Sequence, residues 1–529
     1  MTLLPIQTID VDVAIVGSGF GGSLTALALL KRGRRVALIE RGRHPRFAIG
    51  ESSTPLSNLK LEQLADTYDL PRVRAFSQWG SWQRTRPEVA AGLKRGFTFY
   101  FHEPGDAFAD PDNRDRQLLV AASPNDEVAD THWYRPEFDQ ALAKEAESAG
   151  AIYLDRTTID RIRHEGSRSV LEGARERRSV RITAAFVIDA SGPRGFLSHA
   201  LQLGEAKHRW LPGTQAIYSH FEGVERWDRI RPPVGTAPYP PDDAAVHHVF
   251  NGGWIWILRF NNGLTSAGAA LTDERAAALG AADGEAAWHR LLAEFPAVTQ
   301  QFASARATLP FFFSPRVSFR SARASGPAWA LLPSAAGVID PLLSTGFALT
   351  LFGIVRLLDL LERTSPGPER DAALDAYERA TLDELDATER LVAALYASMD
   401  DPGLFKRLTL LYFAAASFSE AACRLGRPDL APGFLLSAHP TFGPEMQACA
   451  LAALSTPRGQ AQRTLEARID RAIEPFDTAG LLDPSRRDWY PVLASDLVAS
   501  RGKLEASEPE IDRLLERCGL QAPPLRTPF

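Results

Sequence analysis

Val11-Asp12-Val13-Ala14-Ile15-Val16 runs directly into Gly17-Ser18-Gly19-Phe20-Gly21-Gly22, and helix formers such as Leu24 and Ala28 follow up to Gly33. A β-branched run, a glycine turn and a helix in that order form the first half of a dinucleotide-binding unit. The next segment, Arg35 to Glu40, reads as a second buried strand that ends in an acid eighteen residues beyond Gly22. Each type of residue has a mechanical task. Gly17 makes the turn, Gly19 lets the backbone approach a pyrophosphate, Gly22 lets helix pack on strand, and Glu40 accepts ribose hydroxyls. Arg41 and Arg43 follow Glu40, yet the acid itself favours an unphosphorylated ribose, which leaves FAD and NAD open.

Working outward, the 529 residues carry a formal charge of -6, with 45% hydrophobic and 23% charged residues. That is the composition of a globular enzyme-sized chain with no basic field for nucleic acid or an anionic membrane. The first residues lack a basic stretch followed by an apolar one, and the apolar segment Pro341 to Val355 is broken by Ser344, Thr345, Gly346 and Gly353. The expectation is a cytoplasmic protein with no transmembrane span. Cys423, Cys449 and Cys518 are too widely spaced for a zinc site, and His247-His248 would point its rings to opposite faces of a strand, so no metal is expected.

Two further segments separate FAD from NAD. Arg181 to Gly192 is a strand running into Asp189 and a small-residue turn, and Trp329 to Gly346 joins a strand, a small-residue loop and a helix start. A chain with these three parts resembles the FAD-binding fold of para-hydroxybenzoate hydroxylase and its relatives. Four motifs narrow the resemblance: His44-Pro45-Arg46-Phe47 leading to Gly50-Glu51-Ser52-Ser53-Thr54-Pro55; Lys94 within Gly92-Leu93-Lys94-Arg95-Gly96-Phe97; Gly253-Trp254-Ile255-Trp256-Ile257-Leu258; and Asp340-Pro341-Leu342-Leu343-Ser344-Thr345-Gly346. Over roughly the first 360 residues the chain is similar to the flavin-dependent halogenases, and in its motifs to the phenol-acting, phloroglucinol-type members. Arg259 stands where that family's tryptophan motif carries proline, and Pro333-Ser334 where many related hydroxylases carry Gly-Asp.

The resemblance implies an α/β fold with added α+β elements. A Rossmann-like FAD-binding domain would be assembled from residues 1–92, 146–204 and 326–365, interleaved with a β-sheet substrate domain from 93–145 and 205–325 and followed by a helical C-terminal extension, 366–529. It implies FADH2- and O2-dependent halogenation, with chloride or bromide, of a small phenolic ring through hypohalous acid. Lys94 would be the catalytic relay. The halide would sit at Ser344, Thr345 and Gly346, where a helix start offers N–H donors. FAD would lie against Gly17, Gly19, Gly22, Glu40, Gly50, Ser52, Thr54, Asp189, Asp340 and Pro341, and Trp254 and Trp256 would separate flavin from substrate.

The residues alone leave two alternatives open: an FAD-dependent aromatic hydroxylase, or a flavoprotein that has lost turnover. No second glycine fingerprint follows a strand, so a separate flavin reductase is the expected partner. The run from Lys94 to His102 reads as one strand with Thr98, Tyr100 and His102 on the lysine's face and Phe97, Phe99 and Phe101 opposite. Beyond Thr364 a helix face repeats at Leu374, Tyr377, Thr381, Leu385, Thr388, Val392 and Leu395.

Overall fold

In a computed structural model the described residues are 6–108, 114–176, 178–455 and 459–521. The strand Gln7–Val16 lies between Arg178–Asp189 and Val36–Ile39, parallel to both. Trp329–Leu331 extends this sheet beyond Arg178–Asp189 and Ile152–Leu154 beyond Val36–Ile39, again in parallel. The antiparallel hairpin Thr157–Glu165 and Arg168–Arg175, with the short strand Ser325–Gly326 antiparallel to Trp329–Leu331, completes eight strands. Val11, Ala14, Ile15 and Leu38 have no exposed surface, as expected of parallel strands covered on both faces.

A second sheet of nine strands is mostly antiparallel. Its centre runs Thr214–Glu222, Thr265–Thr272, Gly253–Arg259, Ala245–Phe250, Gly96–Phe101 and Gln117–Ala121. Alternation divides its side chains between two cores. Trp254, Trp256, Phe97 and Phe99 join the core shared with the helical part, whereas Ile255, Ile257, Tyr100 and Val246 build a separate core on the other face. His247 and His248 point to opposite faces as expected: His247 stacks on Phe99 and His248 packs on Trp227.

All seven residues of the expected helix face are buried in Pro368–Ala397. That helix packs on Thr345–Arg363, and the next one, Pro402–Arg424, packs on Pro55–Thr67. The C-terminal part is not purely helical, because Trp489–Tyr490 adds an edge strand parallel to Gln117–Ala121. Two residues are too short a run to show any periodicity. Among the described residues, Leu342–Arg363 is long and apolar enough to cross a membrane, and 67% of its apolar window is buried within the fold.

Candidate active site

The glycine turn is shaped as its residues require. Gly17 has φ 106°, and a β-carbon there would lie 2.4 Å from the Ala190 carbonyl oxygen. A β-carbon on Gly22 would lie 1.9 Å from the Gly17 carbonyl oxygen, so this helix start fits the turn only as glycine. Gly19 faces a more open space, whose nearest atoms are Asp139 Oδ2 at 3.5 Å and the Arg135 and Arg46 guanidinium groups at 3.6 Å. Two guanidinium groups beside the amino end of helix Phe20–Lys31 suit a pyrophosphate. Arg135 is held by a bidentate pair with Asp139, both bonds 2.8 Å. No local pattern marks Arg135 as a site residue, since it arrives from a helix more than a hundred residues along the chain.

Glu40 stands at the tip of the second strand. Its Oε2 accepts from the Ser18 hydroxyl at 2.9 Å and from Arg46 at 3.1 Å, and its Oε1 accepts from the Gly42 N–H at 2.8 Å. Burial acts to raise this carboxyl, but Arg46 and these donors outweigh it and hold the group below the usual range. Asp189 is fully buried with its oxygens already engaged: Oδ1 accepts from the Ser191 N–H and hydroxyl, and Oδ2 from the Leu197 N–H. It organises the turn after its strand.

The segment Gly50 to Pro55 runs beside the strand Asp130–Trp133, with Ser52 bridging to His132 and the Ser53 N–H donating to the Thr131 carbonyl at 3.1 Å. Gly50 has φ 89°, with the Arg135 guanidinium 3.9 Å from where its β-carbon would be. The Ser52 hydroxyl accepts from Lys94 Nζ at 3.0 Å, and the Ser53 carbonyl accepts from the same nitrogen at 2.5 Å. Thr54 caps helix Pro55–Thr67 by accepting the Ser57 N–H.

Lys94 has no exposed surface. It does not open the long strand: Ala91–Lys94 is a separate short strand paired with Asp130–Trp133, and the chain breaks at Arg95 before Gly96–Phe101 begins. The alternation expected across 94 to 102 therefore fails at its first residue. Lys94 Nζ lies 3.7 Å from the centre of the Phe97 ring, on the face expected to exclude it. Burial pulls the amine below the ordinary lysine range, with Asp130 opposing, and burial raises the Asp130 carboxyl, with Lys94 opposing.

The loop Asp340 to Gly346 turns through two left-handed residues, Leu343 (φ 65°) and Ser344 (φ 54°), each costing about 1–3 kcal/mol. Helix Thr345–Arg363 then starts without a side-chain cap. A β-carbon on Gly346 would meet nothing within 4 Å, so the helix start faces open space. The loop is tied from both sides. Tyr396 donates to Asp340 Oδ2 at 3.0 Å, Trp254 Nε1 donates to the Tyr396 oxygen at 3.2 Å, and Tyr412 donates to the Leu343 carbonyl at 3.1 Å. Burial pushes the Asp340 carboxyl up to about 6. Pro341 precedes the left-handed residues in ordinary helical geometry, φ -70°. Phe347 packs on Phe20 of the glycine turn at 4.9 Å and stacks on Trp133 at 4.2 Å, which couples the two loops.

Trp254 and Trp256 share a face with ring centroids 5.8 Å apart. Gly268 on the neighbouring strand makes room, since a β-carbon there would lie 2.4 Å from the Trp256 ring. Arg259 is on the opposite face, where it pairs with buried Asp242 at 3.1 Å and donates to the Val224 carbonyl at 2.8 Å. A second group that sequence patterns missed is Glu51, whose Oε1 bonds His220 Nε2 at 2.9 Å while Oε2 is buried without a partner.

These residues fit FAD: an open glycine loop beside two guanidinium groups, an uncapped helix start at an open glycine, and an unpartnered buried carboxylate oxygen at Glu51. A model of tryptophan halogenases matches residues 130–404 and one of FAD-binding domains matches residues 10–214. Monodechloroaminopyrrolnitrin halogenase PrnC of Pseudomonas fluorescens is 31% identical over 74% of this chain and 68% of its own length. Tetracycline 7-halogenase of Kitasatospora aureofaciens is 31% identical over 70% and 68% respectively. The crystal structure of halogenase PltM in complex with phloroglucinol and FAD superposes with a TM-score of 0.80 at 24% identity, covering 90% of this chain and 99% of that one.

Proposed function

This chain belongs to the tryptophan-halogenase family of flavin-dependent halogenases, and from that premise we propose that it halogenates a small electron-rich phenol through an oxidised halogen relayed by Lys94. FAD, bound in reduced form, supplies with dioxygen the oxidising power that turns chloride or bromide into hypohalous acid. Gly17, Gly19, Gly22, Arg46 and Arg135 would hold its pyrophosphate, with Glu40 beside the ribose, and the start of helix Thr345–Arg363 would hold the halide by its N–H donors. The chain carries one dinucleotide fingerprint, so reducing equivalents would come from a separate flavin reductase.

The observation that carries the reading is the buried amine. Lys94 is anchored on Ser52 and Ser53, and it lies on Phe97, whose ring also lines a cavity of about 120 Å³. Pro55, Val120, Tyr412 and Phe413 line the same cavity, with Glu420 and Arg424 among its polar residues. An apolar cavity of about 150 Å³ accepts one benzene ring, so this volume has room for a single aromatic ring. Lys94 receives the halogen from hypohalous acid and presents it to a ring in that cavity, while Trp254 and Trp256 keep the ring from the flavin.

Reduced FAD, oxygen and bromide should be supplied with phloroglucinol, an arylpyrrole and a tetracyclic substrate in parallel. Halogenated phloroglucinol as the main product is the expected result. Turnover of the arylpyrrole or tetracycle alone would overturn the phenol reading, and hydroxylated phenol would overturn the halogen relay.

A further inference from the structure

Lys94 and Asp130 face each other across the antiparallel pair Ala91–Lys94 and Asp130–Trp133. Both side chains are buried, yet no ion pair within 4.0 Å joins them among the described residues. Asp130 Oδ1 accepts from Asn58 at 2.9 Å, and Oδ2 is buried without a partner. Lys94 spends two N–H groups on Ser52 and Ser53, and its nitrogen lies over the Phe97 ring. A buried ion pair without direct contact and with an unfilled carboxylate oxygen keeps the desolvation cost of both charges and gains little in return. Moving one proton from nitrogen to carboxyl removes both charges at once.

We propose that Asp130 is a positioning residue that holds the proton of Lys94, so that the resting pair is a carboxylic acid and a neutral amine. The inference rests on Lys94 as the relay and deepens it. An ammonium has no lone pair to attack halogen, whereas the neutral amine does. The amine nitrogen forms an N–X bond as the X–O bond of hypohalous acid breaks, and an amine proton leaves with the hydroxide as water. In the second step a ring carbon forms C–X as N–X breaks, and the ring proton returns to the nitrogen. Hypohalous acid is the only oxidant required.

The surroundings keep this pair in isolation. His132 and His247 lie close enough to Lys94 to feel its charge, and burial keeps both below the ordinary imidazole range, so neither adds a competing cation near neutrality. On the other side of Asp130, helix Pro402–Arg424 presents Glu420 and Arg424, which pair with each other at 2.8 Å, and Tyr412, whose phenol burial keeps protonated. Phe97 favours the ammonium by its ring face, as would an ionised Asp130, and burial opposes both.

The test follows the Lys94 ε-carbon resonance through pH in [ε-13C]lysine-labelled full-length protein, with Lys94→Met giving the assignment. Asp130→Asn preserves shape and an acceptor for Asn58 and is as uncharged as the protonated carboxyl, so the Lys94 midpoint should stay within about 0.5 pH unit. In protein labelled with [4-13C]aspartate, the Asp130 carboxyl of the wild type should still be protonated at pH 7. In turnover, the acid limb of the kcat profile should stay in place in Asp130→Asn. A Lys94 midpoint that falls by about 1–3 pH units marks a lost counter-charge and overturns the proposal, as does an ionised Asp130 at pH 7. So does loss of the alkaline side of the profile, which marks an ammonium donor. If Asp130→Asn does not fold, the wild-type resonance decides, and an ammonium persisting through pH 8 overturns the pair. An unmoved midpoint together with full halogenation by Lys94→Ala would instead leave the pair standing and remove the relay.

Discussion

A glycine is informative where a side chain would cost nothing in packing and still matter. Gly346 is such a position, because a β-carbon there meets no atom within 4 Å. Gly346→Ala should keep its thermal midpoint within about 1 °C, as expected for a change within ~0.5 kcal/mol, yet raise the halide KM by about tenfold as the methyl occupies the approach to the helix start. Thermal melts beside bromide titrations of initial rate separate the two effects, and an unchanged KM would remove the halide from this loop. Gly22→Ala is the opposite case. Its β-carbon would collide with the Gly17 carbonyl, and FAD should fail to bind at any concentration that saturates the wild type, as read by flavin fluorescence.

Elements show where the sequence was legible and where it was not. The glycine turn, the strand of Trp254 and Trp256 and the long helix Pro368–Ala397 could be read because each pattern is local and extends over enough residues to display its period. Lys94 could be named, but its surroundings could not. Its strand has four residues, and its partner Asp130 is fixed by a pairing thirty-six residues away that leaves no periodic trace. Arg259 shows the same limit. Compared with a proline motif it looks like a lost feature of the barrier, whereas it lies on the other face and neutralises buried Asp242. Arg259→Ala leaves that carboxylate unpaired and should cost about 3–5 kcal/mol. Arg259→Pro would also disturb the pairing with Thr265. Urea midpoints for Arg259→Ala and for the double variant with Asp242→Asn check this, since the second change should recover most of the loss.

At the scale of the whole molecule, two tyrosines bring the C-terminal helices to bear on the loop at Asp340 to Gly346. Asp340 is the buried end of that link, with its carboxyl raised from 3.8 to about 6. The folded state therefore binds this proton more tightly than the unfolded chain, and the associated stability is present below pH ~4 and lost as pH rises to ~6. Unfolding midpoints between pH 4 and 7 should show that slope in the wild type and a shallower one in Asp340→Asn. The proposed function divides the labour: the FAD domain would make the oxidant, and Lys94, anchored on Ser52 and Ser53, would deliver it. Lys94→Ala, supplied with a flavin reductase, NADH, oxygen, bromide and phloroglucinol, tests that division directly. FAD binding and oxygen consumption should match the wild type while halogenated product falls by roughly 10²–10⁴-fold; brominated phloroglucinol formed at the wild-type rate would contradict the account.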